Sequence, residues 1–162
     1  MSMMFPEPVD DTALTDVDDN GATVTSSTFW PVISLAALRK AMRLDGAVTT
    51  DRLMDKTIEA VASVNKQLRE YRAEQERTGA AALGDLEAEE INGESVLVWR
   101  YRRAVYSTAK ALLTEGYRDI DTTKEGEKHA QALTSQIDTL WRDAQWAIRD
   151  IQGVGRGMAE LV

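Results

Sequence analysis

The sequence predicts an all-α fold, a small bundle of about four helices with mobile N-terminal and C-terminal arms. Two observations lead there. Over long stretches apolar residues return at three- and four-residue steps, the period of one helix face. No strand pattern of comparable strength interrupts them. The chain divides into an acidic disordered arm over residues 1–28, a helical domain over 29–153 and a flexible tail over 154–162.

Up to residue 29 the chain carries Glu7, Asp10, Asp11, Asp16, Asp18 and Asp19 and neither Lys nor Arg. A segment so poor in large apolar residues buries too little to offset its ordering entropy, which predicts the arm. The change comes at "FWPVISLAALRKAM", where Ser34 is placed to cap a short helix over about 35–43. Asp45-Gly46 is a turn pair. A second helix is expected over 51–77 with Thr50 as its cap and Asp51 in its first turn. Leu53, Met54, Ile58, Val61, Val64, Leu68 and Tyr71 form its apolar stripe. Gly79 and Gly84 end it, and "TGAAALGDLEAEEING" reads as a loop with at most one helical turn. Asn92-Gly93 is a hairpin pair, yet no strand pattern precedes it, so the loop is the expectation. The third helix falls over about 95–117. The fourth runs over about 124–152 on a stripe of Leu133, Ile137, Leu140, Ala144, Ala147, Ile148 and Ile151, with Gly153 where a C-terminal glycine belongs.

The third helix is the informative one. On a wheel, Leu97, Tyr101, Ala104, Val105, Thr108 and Leu112 share an arc of about 100°, an ordinary core face. Arg100, Arg103, Ser107, Lys110 and Thr114 lie opposite and read as a solvated face. Trp99, Tyr106, Leu113 and Tyr117 make a second ridge beside Arg102 and Arg103. Three readings fit it, in descending order: packing on another helix of the bundle, a subunit interface of the Trp, Tyr and Arg type, or a nucleic-acid platform. Base stacking needs a basic groove, and here acids stand near the bases. On the fourth helix Trp146 falls far from the core stripe, beside Arg142, and a tryptophan on a polar face is costly to leave wet. Two helices each offering an aromatic off the core face favour an oligomer.

Composition excludes several chemistries. The 162 residues carry 27 acids, 19 Lys and Arg, one His and no Cys, for a net charge of −8. Six acids lie in residues 1–29, so the remaining 21 face all 19 bases and the body is nearly neutral. A protein that lives by gripping phosphates shows a basic excess. Without cysteine there is neither a disulfide framework nor a thiolate site. His129 has no partner at metal or triad spacing, and Glu87, Glu89 and Glu90 read as a solvated acidic loop rather than a catalytic pair. Gly153, Gly155 and Gly157 follow a helix, not a strand, and make no dinucleotide fingerprint. No apolar run is long enough to span a bilayer and no secretory layout opens the chain. The expectation is a soluble, cytoplasmically made protein that is not an enzyme and uses no metal or cofactor.

"INGESVLVWRYRRAV" (91–105), "GYRDID" (116–121) and "IDTLWRDAQWAIRDIQG" (137–153), with "KAMRL" and "DRL" before them, resemble the head completion protein L family of contractile-tailed temperate phages. The resemblance spans about residues 29–156 and includes no catalytic motif. It implies a structural virion protein at the head–tail junction, assembled in the host cytoplasm, with a helical, head–tail adaptor-like fold. Such a protein binds the portal vertex after DNA packaging, stabilises the filled capsid and offers the platform for tail attachment. The implied partners are the portal protein, the tail terminator or tail-side connector proteins, and other copies of itself in a twelve-fold ring, with DNA only as passing cargo and no membrane. A ring needs two different contact faces on each subunit. The candidates are Trp99, Arg102, Arg103, Tyr106, Tyr117, Arg142 and Trp146, together with Arg156, Met158 and Leu161 of a tail able to dock on a neighbour or the portal. The arm over 1–28 has no counterpart in the resemblance. The alternative reading is a helical adaptor or regulator that holds one partner helix between the second and third helices.

Overall fold

The structure, a computed structural model, describes residues 17–118 and 124–155, the side chains of 124–126 excepted. Its elements are β1 (Thr23–Val24), β2 (Ile33–Ser34), α1 (Leu35–Ala41), α2 (Thr50–Gln67), α3 (Arg69–Arg77), a 3-10 turn (Leu83–Asp85), β3 (Glu90–Ile91), β4 (Glu94–Ser95), α4 (Val96–Arg118) and α5 (Lys124–Gln152). Mostly helical, as expected, the described chain holds five helices rather than about four, with two minimal antiparallel ladders added.

Helix α4 is central because two of its faces are covered. Leu97, Tyr101, Ala104 and Val105 are buried as the wheel predicted. The face assigned to solvent is a correction: Ser107 and Thr114 are buried there, and α5 lies along α4. Small side chains allow that approach, and the Thr114 hydroxyl donates to the Lys110 carbonyl four residues back, so it adds no unpaired group. Trp141 Nε1 donates to Glu115 Oε1 at 2.8 Å, while Arg100 lies against the Asp150 carbonyl, which makes the two helices antiparallel. On its other face α4 packs on α2, with Val61, Val64, Tyr101 and Val105 in one core. That core fills the seam the alternative reading reserved for a partner helix.

The boundaries depart from expectation where local chemistry was misread. The second helix breaks at Leu68, a fully buried residue that ends α2 and starts α3 outside helical dihedrals. Thr49, not Thr50, caps α2 by accepting from the Arg52 amide, whereas Ser34 caps α1 as predicted. Asn92 and Gly93 both take positive φ (55° and 77°) and close a two-residue hairpin pairing Glu90 with Ser95 and Ile91 with Glu94. Two residues per strand are too few to show an alternating pattern, so the expected loop is this hairpin. Gly153 ends α5 at φ +71°.

The packed body also begins earlier than residue 29. Val24 pairs with Ile33 in the first ladder and is buried. Asp19, expected among the solubilising acids of the arm, is the buried partner of Arg39: Arg39 Nε and Nη2 donate to its two oxygens at 2.8 Å each, and the Thr50 hydroxyl adds a third bond. Arg39 Nη1 also donates to the carbonyls of Asp45 and Val48, tying the chain entry to the α1–α2 loop. The arm over residues 1–16 and the tail from residue 156 lie outside the described residues.

Candidate interaction surface

Three grooves meet at Trp99. The first, about 380 Å³, runs between α4 and α5 and is bounded by Val96, Arg100, Arg103, Trp146 and Asp150. The second passes between α1 and α4, past Val32, Ala37 and Tyr106. The third joins them over Met42, Ser107, Leu140 and Asp143. Trp99 stands between them, 52% exposed, with Val32 equally open. One helix presents it because Leu97, Tyr101 and Val105 turn the opposite arc of α4 into the core; the ridge that this leaves over α1 and α5 is apolar and wet.

The surface carries both charges, Arg100, Arg102 and Arg103 lining the grooves together with Asp143 and Asp150. Arg102 grips Glu94 through two bonds, Nη1 to Oε1 at 2.5 Å and Nη2 to Oε2 at 2.9 Å, which holds the hairpin against α4. Arg142 lies over the Trp146 ring at 5.0 Å, a cation–π contact that leaves its charge available. Arg103 is exposed and makes no ion pair with a described residue. Burial raises the Tyr106 pKa above its ordinary value, and the half-buried ring walls two of the grooves. Burial, then the Arg43 cation, lowers the pKa of Lys110, which donates to the Met42 carbonyl at 3.0 Å and pins α4 to the end of α1.

Of the residues singled out from sequence, Trp99, Arg102, Arg103, Tyr106, Arg142 and Trp146 thus share one surface. Tyr117 does not: it lies 18 residues along α4 from Trp99, about 27 Å away, under Arg52 at 5.7 Å. Arg156, Met158 and Leu161 fall outside the described residues. Sequence reading missed the contribution of α1, whose Ala37 and Ala41, with Met42 just past its end, floor two of the grooves. Only tertiary packing brings them there, although the alanines on that helix were a hint that something approaches closely. His129 is exposed, as are Glu87, Glu89 and Glu90. Among the described residues no group of three His, Asp or Glu could hold a metal ion, and no helix is long and apolar enough to cross a membrane.

Comparison with known proteins gives a consistent result. A family model described as phage head completion protein (GPL) matches residues 24–162. The chain is 36% identical over 155 residues to the head completion/stabilization protein of Escherichia phage P2, covering 96% of this chain and 86% of that protein. It is 22% identical over 147 residues to the probable head completion/stabilization protein of Haemophilus phage HP1 (strain HP1c1), covering 91% and 95%. No solved structure matches.

Proposed function

The chain belongs to the phage head completion protein (GPL) family, and from that premise we propose that it completes the DNA-filled head by binding the portal vertex. There it stabilises the packaged capsid and forms the platform on which tail-side connector proteins assemble. Its place is then the head–tail junction of the virion, in a homo-oligomeric ring of twelve copies, with DNA passing through as cargo.

The observation that carries the reading beyond family membership is the surface around Trp99. Its half-wet tryptophan, half-buried Tyr106 and Trp146, and available Arg103 and Arg142 are the residue types that dominate binding energy at protein interfaces. A ring formed head-to-tail requires a second, different face on each copy. The hairpin side, with Glu87, Glu89 and Glu90 exposed beside Ile91, offers carboxylates to the exposed Arg103 and Arg142. A near-neutral body also suits a channel protein, since a strongly basic lining would hold DNA that must leave.

The test uses DNA-filled, tailless heads from an infection lacking this protein. Adding purified protein should give saturable binding at one vertex and protect the genome from nuclease, and the bound copies per head give the ring size. Heads that stay leaky with no protein bound would overturn the proposal.

A further inference from the structure

The first ladder leaves one of its edges open. In its register Val24 faces Ile33, and the Leu35 amide donates to the Ala22 carbonyl. Antiparallel bonds alternate along a strand, so the amide and carbonyl of Thr23 point to the edge away from β2. Among the described residues nothing bonds the main chain of Thr23, or that of Thr25, the next residue of the same parity. This edge borders a groove of about 470 Å³ that shares no residue with those around Trp99. Met54, Ile58 and Val61 of α2 form its apolar wall, and Ile58 is 52% exposed. Asn65 ties the two walls together at one end, where its Nδ2 donates to Ser26 Oγ at 3.2 Å and its Oδ1 accepts from the Tyr101 hydroxyl at 2.7 Å.

We propose that this edge takes up an extended, basic segment of a partner protein as a third strand, bonded to the main chain of Thr23 and Thr25 with alternate apolar side chains in the groove over Ile58. Unpaired main-chain groups are answered by another main chain in extended form, since a helix keeps its own bonds internal. Val24 is buried while Thr23 and Thr25 are exposed. An added strand therefore turns every second side chain to the side of Val24, where Met54 and Ile58 lie. Charge favours a basic segment. Asp51, Asp55 and Glu59 are exposed on α2 within about 100° of Ile58 around the helix. Lys56 stands 3.9 Å from Asp55, and Lys66 lies at the Asn65 end. A lysine or arginine of the partner thus finds a carboxylate alongside Ile58. Such rim pairs add little, and the main chain with Ile58 carries the contact. A ladder of two residues per strand is marginal alone, and a third strand extends it. The site stands independent of the assembly reading of the Trp99 surface.

The probe is a blocked seven-residue peptide alternating valine with lysine, titrated into the full chain while amide and methyl resonances are followed. The Thr23 and Thr25 amides should shift, saturate and slow in hydrogen exchange, and the Ile58 methyls should move with them. The Ala22 amide, already bonded to the Asp19 carbonyl, should stay as it is. Thr23→Pro removes an outward donor without touching a bond to β2 and should weaken binding about tenfold. Ile58→Ser should cost about as much through lost apolar contact. Both positions are exposed, so the urea midpoints should hold and the losses belong to binding. A valine–glutamate peptide should bind about threefold more weakly. Absence of any shift up to millimolar peptide would overturn the proposal. Equal binding by an N-methylated peptide of the same sequence would do so too, because the groove would then hold apolar side chains without main-chain pairing. Shifts at Thr23 and Thr25 that grow with protein concentration, with no peptide present, would overturn it in favour of two copies pairing their β1 edges.

Discussion

Trp30 and Trp99 sit in the same small domain, each beside a tyrosine, yet they are used in opposite ways. Trp30 is 4% exposed, stacked on Tyr101 with ring centres 5.0 Å apart and planes 7° apart, and edge-on to Phe29 at 4.7 Å. Toward the other end of α2, where Thr50 meets Asp19, Arg39 is fully buried with its donors spent on Asp19, Asp45 and Val48. Trp99 is 52% exposed, and the arginines around it are half-satisfied or bare. Residue type is therefore a poor guide to role in this chain; the partner count of each polar group separates a cluster that holds the fold from one that awaits contact.

The contrast breaks first at the buried cluster. Arg39→Ala leaves the Asp19 carboxylate buried without its cation, an outcome that costs about 3–5 kcal/mol and should appear as a large fall in the urea midpoint. Trp30→Ala should cost about as much through the cavity it opens. Replacing Asp19 and Arg39 together by Leu and Met should recover most of the loss, because the pair's net worth is small once both charges are gone. A loss below about 1 kcal/mol for Arg39→Ala would mean that the pair is screened and this side of the molecule is as open as the other.

The Trp30 stack should be read by base. Burial, partly offset by its hydrogen bonds, pushes the Tyr101 phenol up to about 12 from 10.0. A folded pKa raised above the unfolded one contributes stability that is intact below pH 10 and lost as pH rises toward 12. Two units correspond to at most about 3 kcal/mol. Tyr101→Phe should flatten the alkaline limb of unfolding stability while costing about 1 kcal/mol at neutral pH for the bond from its hydroxyl to Asn65.

A smaller effect is expected in acid. The hydrogen bond from Arg39, opposed by burial and reinforced by Thr50, holds the Asp19 carboxyl below its ordinary 3.8. Here the depressed folded value means stability present above the ordinary carboxylate pKa and lost as pH falls through the lowered one. Acid unfolding followed by circular dichroism should show that limb in the parent and a shallower one in Asp19→Asn. Equal limbs would remove Asp19 from the clasp.

The two clusters were unequally legible in the sequence. The helices were, because caps and apolar stripes are local: Ser34, Gly153 and the Leu97–Val105 face fell where the period put them. Asp19 was not, since nothing in "DVDDN" separates a carboxylate 20 residues from its arginine from the solvated acids around it. Asn20-Gly21 was the missed signal: both take positive φ (56° and 68°) in a turn closed by the Ala22 amide on the Asp19 carbonyl, the chemistry of an ordered chain. The Trp99 side was legible for a different reason. Its ridge departs from the core arc on a wheel, and departure from pattern is visible locally. What the wheel could not show was which faces neighbours would cover, so Ser107 and Thr114 were given to solvent and Tyr117 was grouped with a tryptophan some 27 Å away.

The smallest expected effect on stability is the one that decides what the open cluster is for. Trp99→Ala removes a ring that the described fold leaves half wet, so unfolding free energy should move by no more than about 0.5 kcal/mol. If the ring is an anchor at the vertex, the same change should weaken binding to filled heads by about 2 kcal/mol or more, roughly thirtyfold. Tyr117→Ala, on the same helix but away from the grooves, should do neither. Loss of stability and binding together would make Trp99 a second Trp30, a packing residue with an exposed edge. Loss of binding alone would show that α4 carries its two tryptophan neighbourhoods for two purposes, one turned inward to keep the helix in place and the other outward to be met.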